Sequence, residues 1–337
     1  MKKSNLILAA VMAALLCGCT STGLSDNEQS LPLTSDFSSE SSESSDSSES
    51  EDASESRGDV AVNENTTLAE EEMLTIKSGE TLYINDGAEY TVEGRIVCEE
   101  GGTIKLQSGG SLLLNGSIEL EGDLLSGGFL GIGESGSISG GGTLEVINSF
   151  DDINCEGTVK AHIKAPAPVE ENGITTVGGV LLVNKKYSLP QDYGDGYLTD
   201  DTYNSLLEMR EASGYSMEIV SGFRSYETQA AIFDNYCAID GYEAASTYSA
   251  EPGHSEHQSG FAMDVTSLDE SYGDTEEGMW LAEHCAEYGF IIRYPKGKSD
   301  ITGYIYEPWH IRYLGKSTAK LVFDSGLTLE EFLGVDG

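Results

Sequence analysis

From Leu74 onward the chain carries short apolar-x-apolar triplets separated by Gly, Asn, Ser and Glu. They read Leu74-Thr-Ile76, Leu82-Tyr-Ile84, Tyr90-Thr-Val92, Ile96-Val-Cys98, Ile104-Lys-Leu106, Leu112-Leu-Leu114 and Ile118-Glu-Leu120. Their starts step by 8, 8 and 6 residues and then repeat, a period of about 22 from Leu74 to Ile96 to Ile118. Alternating apolar residues make half-buried strands, and the intervening glycines permit tight corners. Three short strands per rung predict a parallel β-helix, whose inward side chains share one column. A hairpin meander is the alternative, but six-residue steps leave little room for antiparallel pairs. The register blurs after Gly122, where glycines crowd, and resumes at Leu144-Glu-Val146. We expect this all-β repeat to span residues 73–165 and to serve as a rigid spacer.

Beyond Ala165-Pro-Ala-Pro168 the pattern changes to α+β, in a domain expected over 170–337. Thr199 to Ser213 reads as a helix with Thr199 or Asp200 as N-cap and Gly214 after its end. Helices are also expected over about 228–238 and 277–288, with strands at 217–220, 261–265, 290–293 and 310–313.

Ahead of the repeat, Met1-Lys-Lys, an apolar run from Leu6 to Leu16 and Cys17-Gly18-Cys19 describe a secretory signal over residues 1–19. It is too short for a stable membrane span. The Cys17-Gly18-Cys19 end is similar to a bacterial lipoprotein signal, which implies lipidation of Cys19. Residues 20–72 are expected to form a disordered, acidic linker, rich in Ser, Glu and Asp between Ser35 and Glu72. At about 3.3 Å per residue it could reach roughly 170 Å. The expected location is the outer face of a bacterial membrane, lipid-anchored and reaching into the cell wall. A net charge of −40 argues against nucleic-acid binding. Cys98, Cys155, Cys237 and Cys285 form no metal-like cluster, and their pairing cannot be read from spacing.

The chemistry concentrates in Ser255-Glu-His257-Gln-Ser-Gly260-Phe-Ala-Met-Asp264 and Glu307-Pro-Trp-His310. Two imidazoles, a carboxylate and a spare carboxylate are the inventory of zinc hydrolysis: three N/O ligands and a base beside an open position. The chain has only five histidines. His254 reads as a rim residue and His284 as structural, while His162 has no evident co-ligands. His257 and Asp264 are seven positions apart, and we expect the first on a turn and the second on the strand that follows it, Phe261 to Val265. Pro308 argues against a helix around Glu307 to His310, which are expected on a loop entering the last strand.

Arg224-Ser-Tyr-x-x-Gln229, Pro252-Gly-His-Ser255-Glu-His257-Gln-Ser-Gly260, Gly289-Phe-Ile-Ile-Arg293-Tyr-Pro-Lys-Gly297 and Ile301-Thr-Gly-Tyr-Ile-Tyr-Glu307-Pro-Trp-His310 together resemble the VanY-type D-alanyl-D-alanine carboxypeptidases. The resemblance runs from about Val180 to Gly315. It implies zinc-dependent removal of the terminal D-alanine from peptidoglycan stem peptides. By the same resemblance His257, Asp264 and His310 bind zinc, and Glu307 is the catalytic base. Arg224 is placed near the substrate, stabilising the oxyanion or pairing with the substrate carboxylate. Ser255 and Gln229 match positions that contact the terminal residue, and Trp309 and Tyr306 are candidates to wall the pocket. Arg293 and Lys296 are left as structural ion-pair residues. An L,D-carboxypeptidase acting on tetrapeptide stems is the first alternative, and a non-catalytic wall-binding protein the second. The peptidase is expected to act on soluble peptides without residues 20–165.

Overall fold

The computed structural model describes residues 58–337. The signal, Cys19 and most of the linker lie outside the described residues. Three parallel sheets of six, five and five strands form a β-solenoid between Val60 and Lys164. Leu82, Ile104, Leu124 and Leu144 stack in one inward column, and Ile96, Ile118 and Ile138 in another. All are fully buried. Burying such side chains is the main favourable contribution, roughly 1.5–3 kcal/mol for each.

The solenoid starts earlier than expected. Val60–Val62 and Thr66–Leu68 are strands, though they fall within the stretch read as linker. Their neighbours are polar, and that polarity turns out to be part of the stacking. Asp59 Oδ1 accepts from Thr81 N at 3.0 Å, Asn63 Oδ1 from Asn85 Nδ2 at 2.6 Å, and Asn65 Oδ1 from Glu89 N at 3.1 Å. The blurred register after Gly122 also has a geometric cause, because the rung shortens. Ile104 stacks on Leu124 and Leu112 on Leu130, 20 and 18 positions apart, against 22 for Leu74 on Ile96. Glycines line one corner where backbones pass closely. A Cβ at Gly116 would lie 2.0 Å from the Gly94 carbonyl oxygen.

The last rung does not end in solvent. The helices Lys316–Ser325 and Leu329–Leu333, at the far end of the sequence, lie against it. Cys155 N donates to Ser317 Oγ at 3.0 Å, and the Phe150 and Phe332 rings pack with centroids 5.3 Å apart. These helices cover apolar surface that a bare terminal rung would expose. Residues of the solenoid and of the α+β domain thus share one hydrophobic core. Cys98 and Cys155 are inward-facing thiols of the solenoid, and the four described cysteines are free.

The remainder is α+β. A three-stranded antiparallel sheet, Val169–Glu171, Ile174–Val177 and Val180–Leu182, leads into the helix Asp200–Ser213. Thr199 caps it by accepting from Thr202 N, and Gly214 ends it at φ +73°. After the helix Tyr226–Asp240, a four-stranded antiparallel sheet shares its core with Leu206 and Met209 of Asp200–Ser213 and with Leu281 of the helix Glu276–His284. Its order is Ile219–Ser221, Ala262–Val265, Glu307–Tyr313, Phe290–Tyr294. Glu307 to His310 belong to the last strand in the sequence rather than to a loop before it. Pro308 is accommodated because it pairs with neither neighbour. Pairing to Ala262–Val265 begins at His310, and the other register jumps from Ile311 opposite Ile292 to Glu307 opposite Tyr294. Among the described residues no helix is long and apolar enough to cross a membrane.

Candidate active site

Strand register does most of the assembly. Asp264 lies opposite His310 on one side and Ser221 on the other. His257 arrives on a single 3-10 turn, Glu256–Ser259, closed by Gly260 at φ +76°. That left-handed residue reverses the chain into the strand carrying Asp264. His257, Asp264 and His310 are all buried, with their ligand atoms within 4.8 Å of one another. His257 Nε2 is 3.2 Å from Asp264 Oδ2, and His310 Nδ1 is 3.1 Å from Asp264 Oδ1. The two rings stand nearly perpendicular, 5.0 Å apart. His257 Nδ1 lies 2.8 Å from the Gly222 carbonyl oxygen, which leaves Nε2 as its inward donor atom.

Residues three apart on a regular strand face opposite sides. The break in register at Pro308 relieves that constraint, and Glu307 Oε2 comes to 3.7 Å from His310 Nδ1. Burial pushes the Glu307 carboxyl up to about 7, and Asp264 and Glu256 push the same way against His310 and Arg224. Burial would also raise Asp264, but His257 and His310 hold it well below the usual carboxylate range. Burial lowers His257. It acts the same way on His310, yet hydrogen bonds to Asp264 and Glu256 carry that imidazole up to about 9. Three carboxylates therefore converge on His310, and the centre calls for positive charge.

Arg224 faces the same centre from the loop after Ile219–Ser221. Nη1 donates to Gln229 Oε1 at 2.8 Å and Nη2 to Ser221 Oγ at 2.7 Å. Its Nη2 also lies 3.8 Å from Asp264 Oδ2. Gln229 is fully buried, and its Nε2 donates to Ala250 O at 2.6 Å. Both ends of that amide are engaged inside the protein, so it holds Arg224 in place. Arg224, Ser255, His257, Asp264, Glu307 and His310 line one cleft of about 480 Å³, with Trp309 on its wall. Tyr306 is absent from this lining. It borders a separate, apolar hollow with Pro295 and Val322.

Several residues at the site were not singled out from the sequence. Tyr236 and Tyr248 pack edge to face, 5.1 Å apart, on the cleft wall. Their spacing carries no pattern. Glu256 is also buried there, within 3.4 Å of His310 Nε2. Its other oxygen receives Arg293 and Arg312, and Arg293 in turn grips Glu330. Only the charges within an otherwise apolar stretch, Phe290-Ile-Ile-Arg293 and His310-Ile-Arg312, hinted at such a network. His254 holds the Asn184 carbonyl and His284 stacks on Trp280, both away from the cluster.

Residues 197–316 match the VanY family, D-alanyl-D-alanine carboxypeptidase. The chain belongs to this family of peptidase hydrolases. It is 43% identical over 180 residues to YodJ of Bacillus subtilis (strain 168), a match spanning 45% of this chain and 66% of that protein, just under two thirds. It is 32% identical to a D-alanyl-D-alanine carboxypeptidase of Enterococcus faecalis (strain ATCC 700802 / V583), over 50% of this chain and 71% of the relative. Among solved structures, the LdcB LD-carboxypeptidase is similar at 39% identity and a TM-score of 0.47, covering 51% of this chain and 96% of that one.

Proposed function

We propose that the protein is a zinc-dependent D,D-carboxypeptidase that removes the terminal D-alanine from peptidoglycan stem peptides during cell-wall remodelling. The observation that carries this reading is the convergence of His257, Asp264 and His310 on one buried point, with Glu307 and Arg224 facing the same cleft. Two imidazole nitrogens and a carboxylate are the donor set of a catalytic zinc site, and the carboxylate charge around them favours a cation. His257 through Nε2, His310 through Nδ1 and Asp264 through its carboxylate would hold the ion. When bound, zinc would act as a Lewis acid that polarises the scissile carbonyl and eases loss of a proton from water.

Glu307 then serves as general base and acid. It takes a proton as the water oxygen bonds to the carbonyl carbon, and returns it to the amine nitrogen as the C–N bond breaks. Free D-alanine leaves. Arg224 is the guanidinium of the cleft, and a carboxypeptidase must recognise a terminal carboxylate. Held by Gln229 and Ser221, it would pair with that group and set which bond meets Glu307. The family membership and the relatives called D-alanyl-D-alanine carboxypeptidase support the D,D bond.

We propose further that a lipid on Cys19 anchors the chain outside a bacterial membrane, with the acidic linker and solenoid holding the enzyme away from the bilayer. Mass analysis of the mature N-terminus, compared with Cys19→Ala, tests that part.

The activity test is mass spectrometry of soluble muropeptides incubated with the whole chain and zinc. Loss of one D-alanine from the pentapeptide alone is expected. Trimming of the tetrapeptide alone would replace this reading with an L,D-carboxypeptidase. Intact peptides in the presence of bound zinc would overturn the enzymatic reading.

A further inference from the structure

The two histidines of the cluster present different nitrogens. His257 is fixed by a backbone carbonyl at Nδ1, so its Nε2 points inward. His310 is turned the other way: Nδ1 faces Asp264 at 3.1 Å, and Nε2 faces Glu256 Oε2 at 3.4 Å. Ionised carboxylates can only accept, so with no cation present both ring nitrogens hold protons, Nδ1 towards Asp264 and Nε2 towards Glu256. A cation held by Nδ1 and Asp264 would take the place of the first proton, and Glu256 would keep the second on Nε2, the tautomer that a ligand at Nδ1 requires.

Glu256 is itself held from behind. Its Oε1 accepts from Arg293 Nε and from Arg312 Nη1, each at 2.7 Å, which leaves Oε2 for His310 alone. Arg312 Nη2 donates to the Leu181 carbonyl at 2.7 Å. Arg293 forks onto Glu330 of the C-terminal helix Leu329–Leu333, with Nη1 2.9 Å from Oε2. All four side chains are buried and their formal charges cancel. The carboxylate therefore cannot turn without breaking two ion pairs. Breaking such a buried pair costs several kcal/mol through the charge left behind.

We propose that Glu256 is the positioning residue of the metal site, setting the tautomer and ring orientation of His310 with its own carboxylate fixed by Arg293 and Arg312. This rests on the assignment of His257, Asp264 and His310 as metal ligands. Carboxylates that hold a ligating histidine from behind are worth about 10–100-fold in metal affinity.

The test compares Glu256→Gln with Glu330→Gln in the whole chain. Each removes one buried negative charge from the same network, but only the first touches His310. Zinc affinity is read by competition with a chromogenic chelator, and folding by thermal melting. Glu256→Gln should weaken zinc binding about 10-fold or more. Glu330→Gln should lower the melting temperature and leave zinc affinity within about threefold, since it touches no residue that contacts the metal ligands. If Glu256→Gln does not fold, Glu256→Asp takes its place, because it draws the carboxylate back from His310 and should weaken zinc in the same way. Unchanged affinity in the Glu256 variant, or equal weakening in both variants, overturns the inference, since a purely structural network then accounts for the data. Failure of the wild-type chain to bind zinc sinks the ligand assignment, and this inference with it.

Discussion

Asp264 and His310 sit directly opposite each other on neighbouring antiparallel strands, with Oδ1 3.1 Å from Nδ1. Their proximity is a matter of register, the most strongly specified feature of a half-buried sheet. His257 reaches them only through a tight turn, which explains the seven-residue interval within its motif. The centre is thus built mainly on strands, where side chains are held more rigidly than on loops.

Replacing Glu307 separates the base from the ligands. Glu307→Gln should lower turnover by about 10²–10⁴-fold, the usual worth of a positioned proton-transfer group. Zinc content, measured by elemental analysis of the purified variant, should match wild type. Substantial residual turnover would assign the base to another residue.

Metal and fold should be coupled through the ligands. A chelator should abolish activity and lower the melting temperature. Zinc at about a hundredfold its Kd should restore roughly 2.7 kcal/mol of stability. In His257→Ala that increment should largely vanish. A calorimetric scan with and without zinc reads both, and an equal shift in wild type and variant would remove His257 from the ligand set.

Arg224→Lys probes recognition of the terminal carboxylate. A lysine ammonium cannot keep the Gln229 and Ser221 bonds at 2.8 and 2.7 Å and also present a planar fork. A charged hydrogen bond is worth about 1.5–3 kcal/mol, so KM should rise about 10–100-fold. Zinc content should not change. Steady-state kinetics on a pentapeptide decides it, and an unaltered KM would place the carboxylate elsewhere.

Truncation should be costly for the fold. Phe332 is buried against Phe150 of the solenoid, and Leu321 and Val322 belong to the same core. Phe332→Ala should cost about 3–5 kcal/mol. A 170–337 fragment loses Phe150 and the last rung altogether, so it should melt lower than the whole chain even though the cleft residues are all retained. Equal melting temperatures would mean that the shared core contributes nothing to the peptidase.

The repeat and the ligand motif were legible because each is written in contiguous sequence. The triplets from Leu74 to Leu120 announce their own strands, and His257, Asp264, Glu307 and His310 stand in two short segments. What stayed hidden depends on distant partners. Glu256 meets Arg293 and Arg312 across 37 and 56 residues, and an isolated charge gives no sign of who will neutralise it. Gln229 reads from the sequence as a contact for the substrate, and its bonds to Arg224 and to the Ala250 carbonyl carry no trace in the local sequence. Asp59, Asn63 and Asn65 looked like linker because composition cannot distinguish a solvated polar side chain from one that accepts a bond from the next rung. Pro308 pointed away from a helix, but a strand that skips its pairing at one residue has no sequence signature.

The capped solenoid has a consequence for how such a protein can change length. Among the described residues each rung hydrogen-bonds to its neighbours, and it is the last one that meets the helices Lys316–Ser325 and Leu329–Leu333. Whole rungs can therefore be inserted or removed further up the stack without altering the surface on which the peptidase rests. At about 4.8 Å per rung, the standoff of the cleft from the first strand is a counted quantity, adjustable by duplication of about twenty codons at a time.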